Sequence, residues 1–372
     1  MHPMIRGNHI APLFMVTILA ALVLPMFFEI YRTVFYSTMS FDDYSPYLLW
    51  MLGEPGGKVP VSPHAYRFGA IVLATPFYHL PVVLFSGQGI LHAPVVMQPE
   101  YVRALQAMCA ANAAYAALSA CIVGLYLAFW RNVSSAWAFS ATLIFLLLTR
   151  YLGMGSTDGI ATLPLVVAAI AMIERRIAIF AAAVLLGTIV NEKVALIAFF
   201  ATGLRMLFLV EHRKSYLIMW GFAAFALAAY AATVLTLAIP GLDNQRDPTT
   251  YLPSVINSIG NLLGAKGAYQ NVWPVIIVII LWWTAVRQTR DPLVYGCDLG
   301  IIIALFLFTL AIDVQFNVGR IVMFSMPLFL IGAVESMARS AVGAAPAGPV
   351  DPVQNWTRPA APIAPSPKIR GA

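Results

Sequence analysis

Apolar runs separated by short polar breaks make up most of the chain. They recur at about 10–31, 104–130, 135–150, 158–173, 177–190, 194–210, 215–238, 272–286, 293–312 and 321–338. None alternates apolar with polar positions as a lipid-facing strand does. A helix satisfies its own backbone hydrogen bonds where no water can. The pattern therefore predicts an all-α protein, a transmembrane bundle of about ten spans. Several runs are near 15 residues, short of the roughly 20 that cross about 30 Å of hydrocarbon. Those spans are expected to have tilted neighbours, snorkelling ends or a locally thinned bilayer around them.

The breaks set the topology. Residues 32–65 form a Pro- and Gly-rich polar loop carrying Asp42, Asp43, Glu54 and Lys58, with an amphipathic piece, Tyr47 to Leu52, expected along the interface. The stretch Tyr66 to Phe85 is apolar but contains Arg67, Pro76, His79 and Pro81, and proline disfavours a helix interior. Charge arbitrates. If this stretch crosses, Arg131, Arg175-Arg176, His212-Arg213-Lys214, Arg287 with Arg290, and Arg339 all fall outside; if it does not, all fall inside, as the bias of basic residues towards the cytoplasm requires. It is therefore read as a helix or broken hairpin resting in, or dipping into, the outer leaflet. A second external loop, about 239–271, carries Pro240, Asp243, Arg246 and Asp247, then an expected interfacial helix from Tyr251 to Leu263. Residues 1–338 make the integral membrane domain. Residues 339–372 are Ala- and Pro-rich and poor in large apolar groups, and are expected to be a disordered cytoplasmic tail.

Composition agrees with that reading. Of 372 residues 60% are hydrophobic and 10% charged, with a mean hydropathy of +0.81, too few charges to cover a water-facing surface. The net charge of +6 lies in small groups between apolar runs rather than in a basic stripe interleaved with aromatics, which argues against nucleic-acid binding. Cys109, Cys121 and Cys297 lie within or beside apolar runs and read as structural thiols. His64, His79 and His92 lack the spacing of metal ligands, so no metal is assigned, and no phosphate-loop pattern or cofactor motif occurs. The first run is followed by no small-residue cleavage site and reads as retained. These features point to a bacterial inner (plasma) membrane with both termini cytoplasmic.

On that topology, most charges that are not cytoplasmic orientation signals gather on the external side: Asp42, Asp43, Glu54, Arg67, Arg150, Asp158, Glu192, Lys193, Asp313 and Arg320. Ionisable groups at bundle-facing helix ends are functional candidates. Asn191-Glu192-Lys193 stands between two apolar runs with no room for a real loop. Its ordinary reading is a wet hairpin tip with a local ion pair; the alternative is a polar cavity shared with Arg150, Asp158, Asp313 and Arg320. The adjacent Asp42 and Asp43 read either as a solvated loop with a helix cap or as a general base opposite fixed cations. Arg67 is either an interfacial anchor beside Tyr66 or a phosphate ligand. A carboxylate that takes a proton and arginines that clamp phosphate oxygens together suit group transfer from a lipid phosphate.

These features resemble the GT-C superfamily of integral membrane glycosyltransferases. The likeness rests on Asp42-Asp43 early in the first external loop, the aromatic Tyr47 four residues on, Leu52-Gly53-Glu54-Pro55, and Tyr66-Arg67 before a proline-containing apolar stretch. The Asn191-Glu192-Lys193 tip and Arg320 before the last span are similar to polar positions in such enzymes. The resemblance implies a polyprenyl-phosphate-linked sugar donor, a lipid or glycan acceptor at the outer or periplasmic face, and inverting transfer of a hexosyl or pentosyl group without a metal. It implies Asp43 as general base with Asp42 as helper or replacement, Arg67, Lys193, Arg320 and Arg150 on the donor phosphate, and Glu192, Asn191, Asp158 and Asp313 orienting sugar or acceptor. The chain departs from the pattern in having Phe68 after Tyr66-Arg67 and in lacking a carboxy-terminal soluble domain. Competing readings are a transporter or lipid flippase of envelope precursors, a surface-polysaccharide polymerase or ligase, and a non-catalytic membrane subunit of an envelope complex.

Overall fold

The computed structural model describes residues 45–58, 67–80, 99–149, 157–236, 272–286, 292–311 and 318–341, and all regular structure among them is helical. The all-α class follows. The elements are α1 (Ser45–Leu52), α2 (Phe68–Tyr78), α3 (Pro99–Leu125, continued by the π-helical turn Tyr126–Trp130), α4 (Ser135–Thr149), α5 (Asp158–Ile173), α6 (Ile177–Val190), α7 (Lys193–Phe208), α8 (Arg213–Thr236), α9 (Trp273–Val286), α10 (Pro292–Ala311), α11 (Val318–Met323) and α12 (Met326–Ala341). The expected first span, Arg150, the second external loop with its helix, and the tail beyond Ala341 lie outside the described residues.

Helix ends fall close to the polar breaks, because those breaks are where the apolar faces stop. Among the described residues two helices, Arg103–Trp130 and Val210–Thr233, are long and apolar enough to cross a membrane. α2 has 11 residues, about 16 Å of axis at 1.5 Å per residue, too little for a crossing by itself. The expected single last run is two helices. Pro327 has no N–H to give, and its ring would strike the carbonyl of Met323, four residues back. The chain therefore breaks at Phe324-Ser325, where Ser325 Oγ donates to the Val322 carbonyl at 2.6 Å, and restarts as α12.

The core is built on small residues. Ala104, Ala107, Ala111, Ala116 and Ala120 of α3 are buried, and such faces let helix backbones approach closely. α3 packs on α2, α4 and α5; α7 packs on α8 and α10; α9 packs on α12. Connections of two to four residues join α3 to α4, α5 to α6, α6 to α7 and α7 to α8, so each helix runs back along its predecessor. The Arg67–Glu192 and Lys193–Asp158 pairs lie at one end of these helices, and Arg131–Glu174, Arg131–Glu335 and Arg339–Glu335 lie at the other. One end carries the α6–α7 joint at Asn191; the other carries Arg131, Glu174 and Glu335.

Candidate functional site

At the Asn191 end, α6 stops at Val190 and α7 begins at Lys193, so Asn191 and Glu192 are all that joins them. Asn191 has extended backbone (φ −163°, ψ 123°). Its amide is fully used: Nδ2 donates to Thr157 Oγ1 at 3.1 Å and to Asp158 Oδ1 at 3.0 Å, and Oδ1 accepts from the Lys193 backbone N–H at 3.1 Å. Lys193 Nζ donates to Asp158 Oδ1 at 3.1 Å and lies 4.9 Å from the centre of the Phe324 ring, in the break before α12. Asp158 is the first residue of α5, where a carboxylate suits the helix dipole. Its side chain is 0% exposed and that of Lys193 11%. An ion pair this enclosed needs each partner, since losing one strands the other's charge.

Two close backbone approaches set this geometry. A Cβ on Gly159 would lie 2.6 Å from the Asn112 carbonyl oxygen, so only glycine lets the start of α5 sit against α3. There Asn112 Oδ1 accepts from the Ile160 N–H at 3.2 Å. A Cβ on Gly69 would lie 3.1 Å from the Ile189 carbonyl oxygen, and that contact brings the start of α2 against the end of α6. Arg67, just before α2, thereby reaches Glu192. Its Nε donates to Glu192 Oε2 at 2.7 Å and its Nη2 to Oε1, a two-pronged pair across 125 positions of sequence. Burial pushes the Glu192 carboxyl up, but the charge and hydrogen bonds of Arg67, with the charge of Lys193, more than offset this and hold it below the usual glutamate range.

Of the residues expected to form a shared site, the structure brings Arg67, Asp158, Asn191, Glu192 and Lys193 into one connected cluster. Arg320 lies in the first turn of α11, four positions before Phe324. Asp42, Asp43, Arg150 and Asp313 lie outside the described residues. Thr157 and Phe324 join the cluster without having been singled out: a hydroxyl and an apolar ring carry no charge signal in sequence. Among the described residues no group of three or more His, Cys, Asp or Glu side chains is placed to hold a metal ion. The hollow lined by Leu165, Phe180, Ile197, Ala201 and Leu328 is apolar and lies one to two turns of α7 below Lys193; it supplies apolar volume and no chemistry.

The opposite end holds polar structure that the charge pattern assigned only to orientation. Arg131 pairs bidentately with Glu335 of α12 and lies 3.5 Å from Glu174 at the end of α5. Tyr126, in the π-helical turn, donates to Glu174. The expectation that unexplained charge gathers at the external helix ends also needs correcting. Arg205 of α7 and Asp298 of α10 form a pair at 2.9 Å with side chains 7% and 6% exposed. Both sit inside apolar runs, and an opposite charge on another run was the available signal. No protein-family model, curated protein or solved structure matches the chain.

Proposed function

We propose that the chain is an integral membrane glycosyltransferase of about ten spans that moves a sugar from a polyprenyl-phosphate donor to an acceptor hydroxyl at the Asn191 end, facing away from the cytoplasm. The membrane setting is supported by the bundle's exterior. Ile179 and Leu186 of α6, Leu217, Phe222 and Phe225 of α8, and Ile276, Ile280 and Trp283 of α9 are all exposed, large apolar side chains on the outside of three helices, as a lipid-facing exterior requires. The observation that carries the functional reading is the Arg67–Glu192 and Lys193–Asp158 cluster, assembled from three separate segments at the end that the Asp42-Asp43 loop adjoins in sequence.

In this reading Asp43, or Asp42 in its place, takes the acceptor proton as the hydroxyl oxygen bonds to the anomeric carbon. The bond from that carbon to the phosphate oxygen breaks, and the polyprenyl phosphate leaves with the electron pair. Charge grows on the phosphate oxygens as it leaves, and fixed cations at that position lower the barrier. Arg67 and Lys193 are the described cations available, with Arg320 and Arg150 assigned the same role. Asp158 and Asn191 hold Lys193 in place, and Asp313 and Glu192 orient the sugar or its cationic neighbours. The test is transfer from a polyprenyl-phosphate sugar by the purified chain in lipid nanodiscs. Asp42→Asn with Asp43→Asn should abolish turnover while the protein stays folded and inserted; retained turnover in the double variant removes the base assignment.

A second reading, a transporter or flippase of envelope precursors, draws on the buried Arg205–Asp298 pair, because ionisable groups inside a bundle mark substrate or proton pathways. It expects flux across sealed vesicles that fails when Arg205→Met is combined with Asp298→Leu. The transfer reading expects turnover to survive that double replacement.

A further inference from the structure

At the Asn191 end Arg67 is paired with Glu192 and Lys193 with Asp158, so a donor phosphate arriving there meets cations that already hold carboxylates. The two pairs are not equivalent. Asp158 is enclosed and tied by Asn191 as well as Lys193. The Arg67–Glu192 pair lies nearer the surface, with Glu192 21% exposed, and Glu192 stands in the two-residue joint between α6 and α7 rather than within either helix. The two parallel N–H donors that Arg67 gives to the Glu192 carboxylate are those a phosphate accepts from a guanidinium fork.

We propose that Glu192 is a built-in occupant of the phosphate subsite: its carboxylate holds the Arg67 fork in the resting chain, and the phosphate of a lipid-linked ligand displaces it. This rests on the lipid-phosphate reading above and adds the exchange. The phosphate wins because it brings more negative charge and more acceptor oxygens to the same fork, while the displaced carboxylate regains water at the mouth. The Lys193–Asp158 pair stays closed beneath and keeps the α6–α7 joint in register during the exchange.

The test is equilibrium binding of farnesyl phosphate and, separately, inorganic diphosphate to the full chain in phosphatidylcholine nanodiscs. Removing the competitor with Glu192→Gln should tighten farnesyl phosphate binding about tenfold or more, the scale of a lost charge-assisted pair. Glu192→Asp, one methylene short of the fork, should shift it the same way by less and carries the test if the glutamine variant fails to fold. Arg67→Met should lose the binding. A gain for farnesyl phosphate alone assigns the subsite to a lipid headgroup, and a gain for both ligands assigns it to phosphate as such; either supports displacement. Binding that is unchanged or weaker in the folded Glu192 variants overturns it. Displacement survives if the Glu192 variants gain affinity while no sugar transfer is ever detected, and transfer survives if turnover is found but the variants do not gain, so the two readings fail separately.

Discussion

At the residue scale the site depends on side chains that serve more than one neighbour. Asn191 satisfies Thr157, Asp158 and the first N–H of α7 with a single amide. Replacing it with alanine removes three hydrogen bonds from a buried place, and about 1–3 kcal/mol of stability should be lost. Asn191→Asp should be worse than Asn191→Ala, because it sets a second carboxylate against Asp158. Chemical denaturation of the two variants side by side checks the order. Glu192 gives a pH dependence with a definite sign. Its carboxyl titrates lower in the folded chain than in the unfolded one. The Arg67–Glu192 contribution is therefore fully present above the normal glutamate value and is lost as pH falls through the depressed folded one. Thermal unfolding followed into the acid range should show this loss in the wild type and not in Arg67→Met. The charge pattern in the sequence marked Arg67, Asp158, Glu192 and Lys193 individually. What it could not show is that the cations are already matched to carboxylates, since pairing across 125 positions depends on how α2 lies against α6.

At the element scale, bounds were legible and partners were not. Polar breaks interrupt the apolar runs abruptly, and α4, α5 and α6 start and stop within a residue of the runs at 135–150, 158–173 and 177–190. The apolar run at 321–338 continues through the split at Phe324-Ser325 without a polar break, and only Pro327, acting four residues back, marks it. Interhelical contacts such as Arg205 with Asp298 required knowing that α7 and α10 are neighbours. Gly159 links packing to site. Gly159→Ala places a methyl group against the Asn112 carbonyl, and α5 must withdraw from α3 at the residue after Asp158. The expected cost is about 1–3 kcal/mol, typical of an overpacked contact, read as a lower unfolding temperature. Alanine at Gly221, where nothing crowds the added atom, should leave that temperature near the wild-type value.

At the scale of the whole molecule, the account turns on the two ends facing opposite sides of a membrane. The orientation signals at Arg131, Arg175-Arg176 and Arg213-Lys214 share one end of the folded bundle, while Arg67, Asp158, Glu192 and Lys193 share the other. The chain order and the ion pairs agree on that division without reference to any bilayer. The proposed topology assigns the turn after α1 and the loop of about 239–271 to the same outer side as the Asn191 end. The most direct measurement is labelling of intact cells with an impermeant thiol reagent, on single cysteines placed at Gly56, Ala268 and Arg176 in a background lacking Cys109, Cys121 and Cys297. Cysteines at Gly56 and Ala268 should label from outside, and the one at Arg176 only after the membrane is permeabilised. Protection of either external position, or labelling of Arg176 in intact cells, would contradict the topology and with it the placement of the transfer chemistry at the Asn191 end.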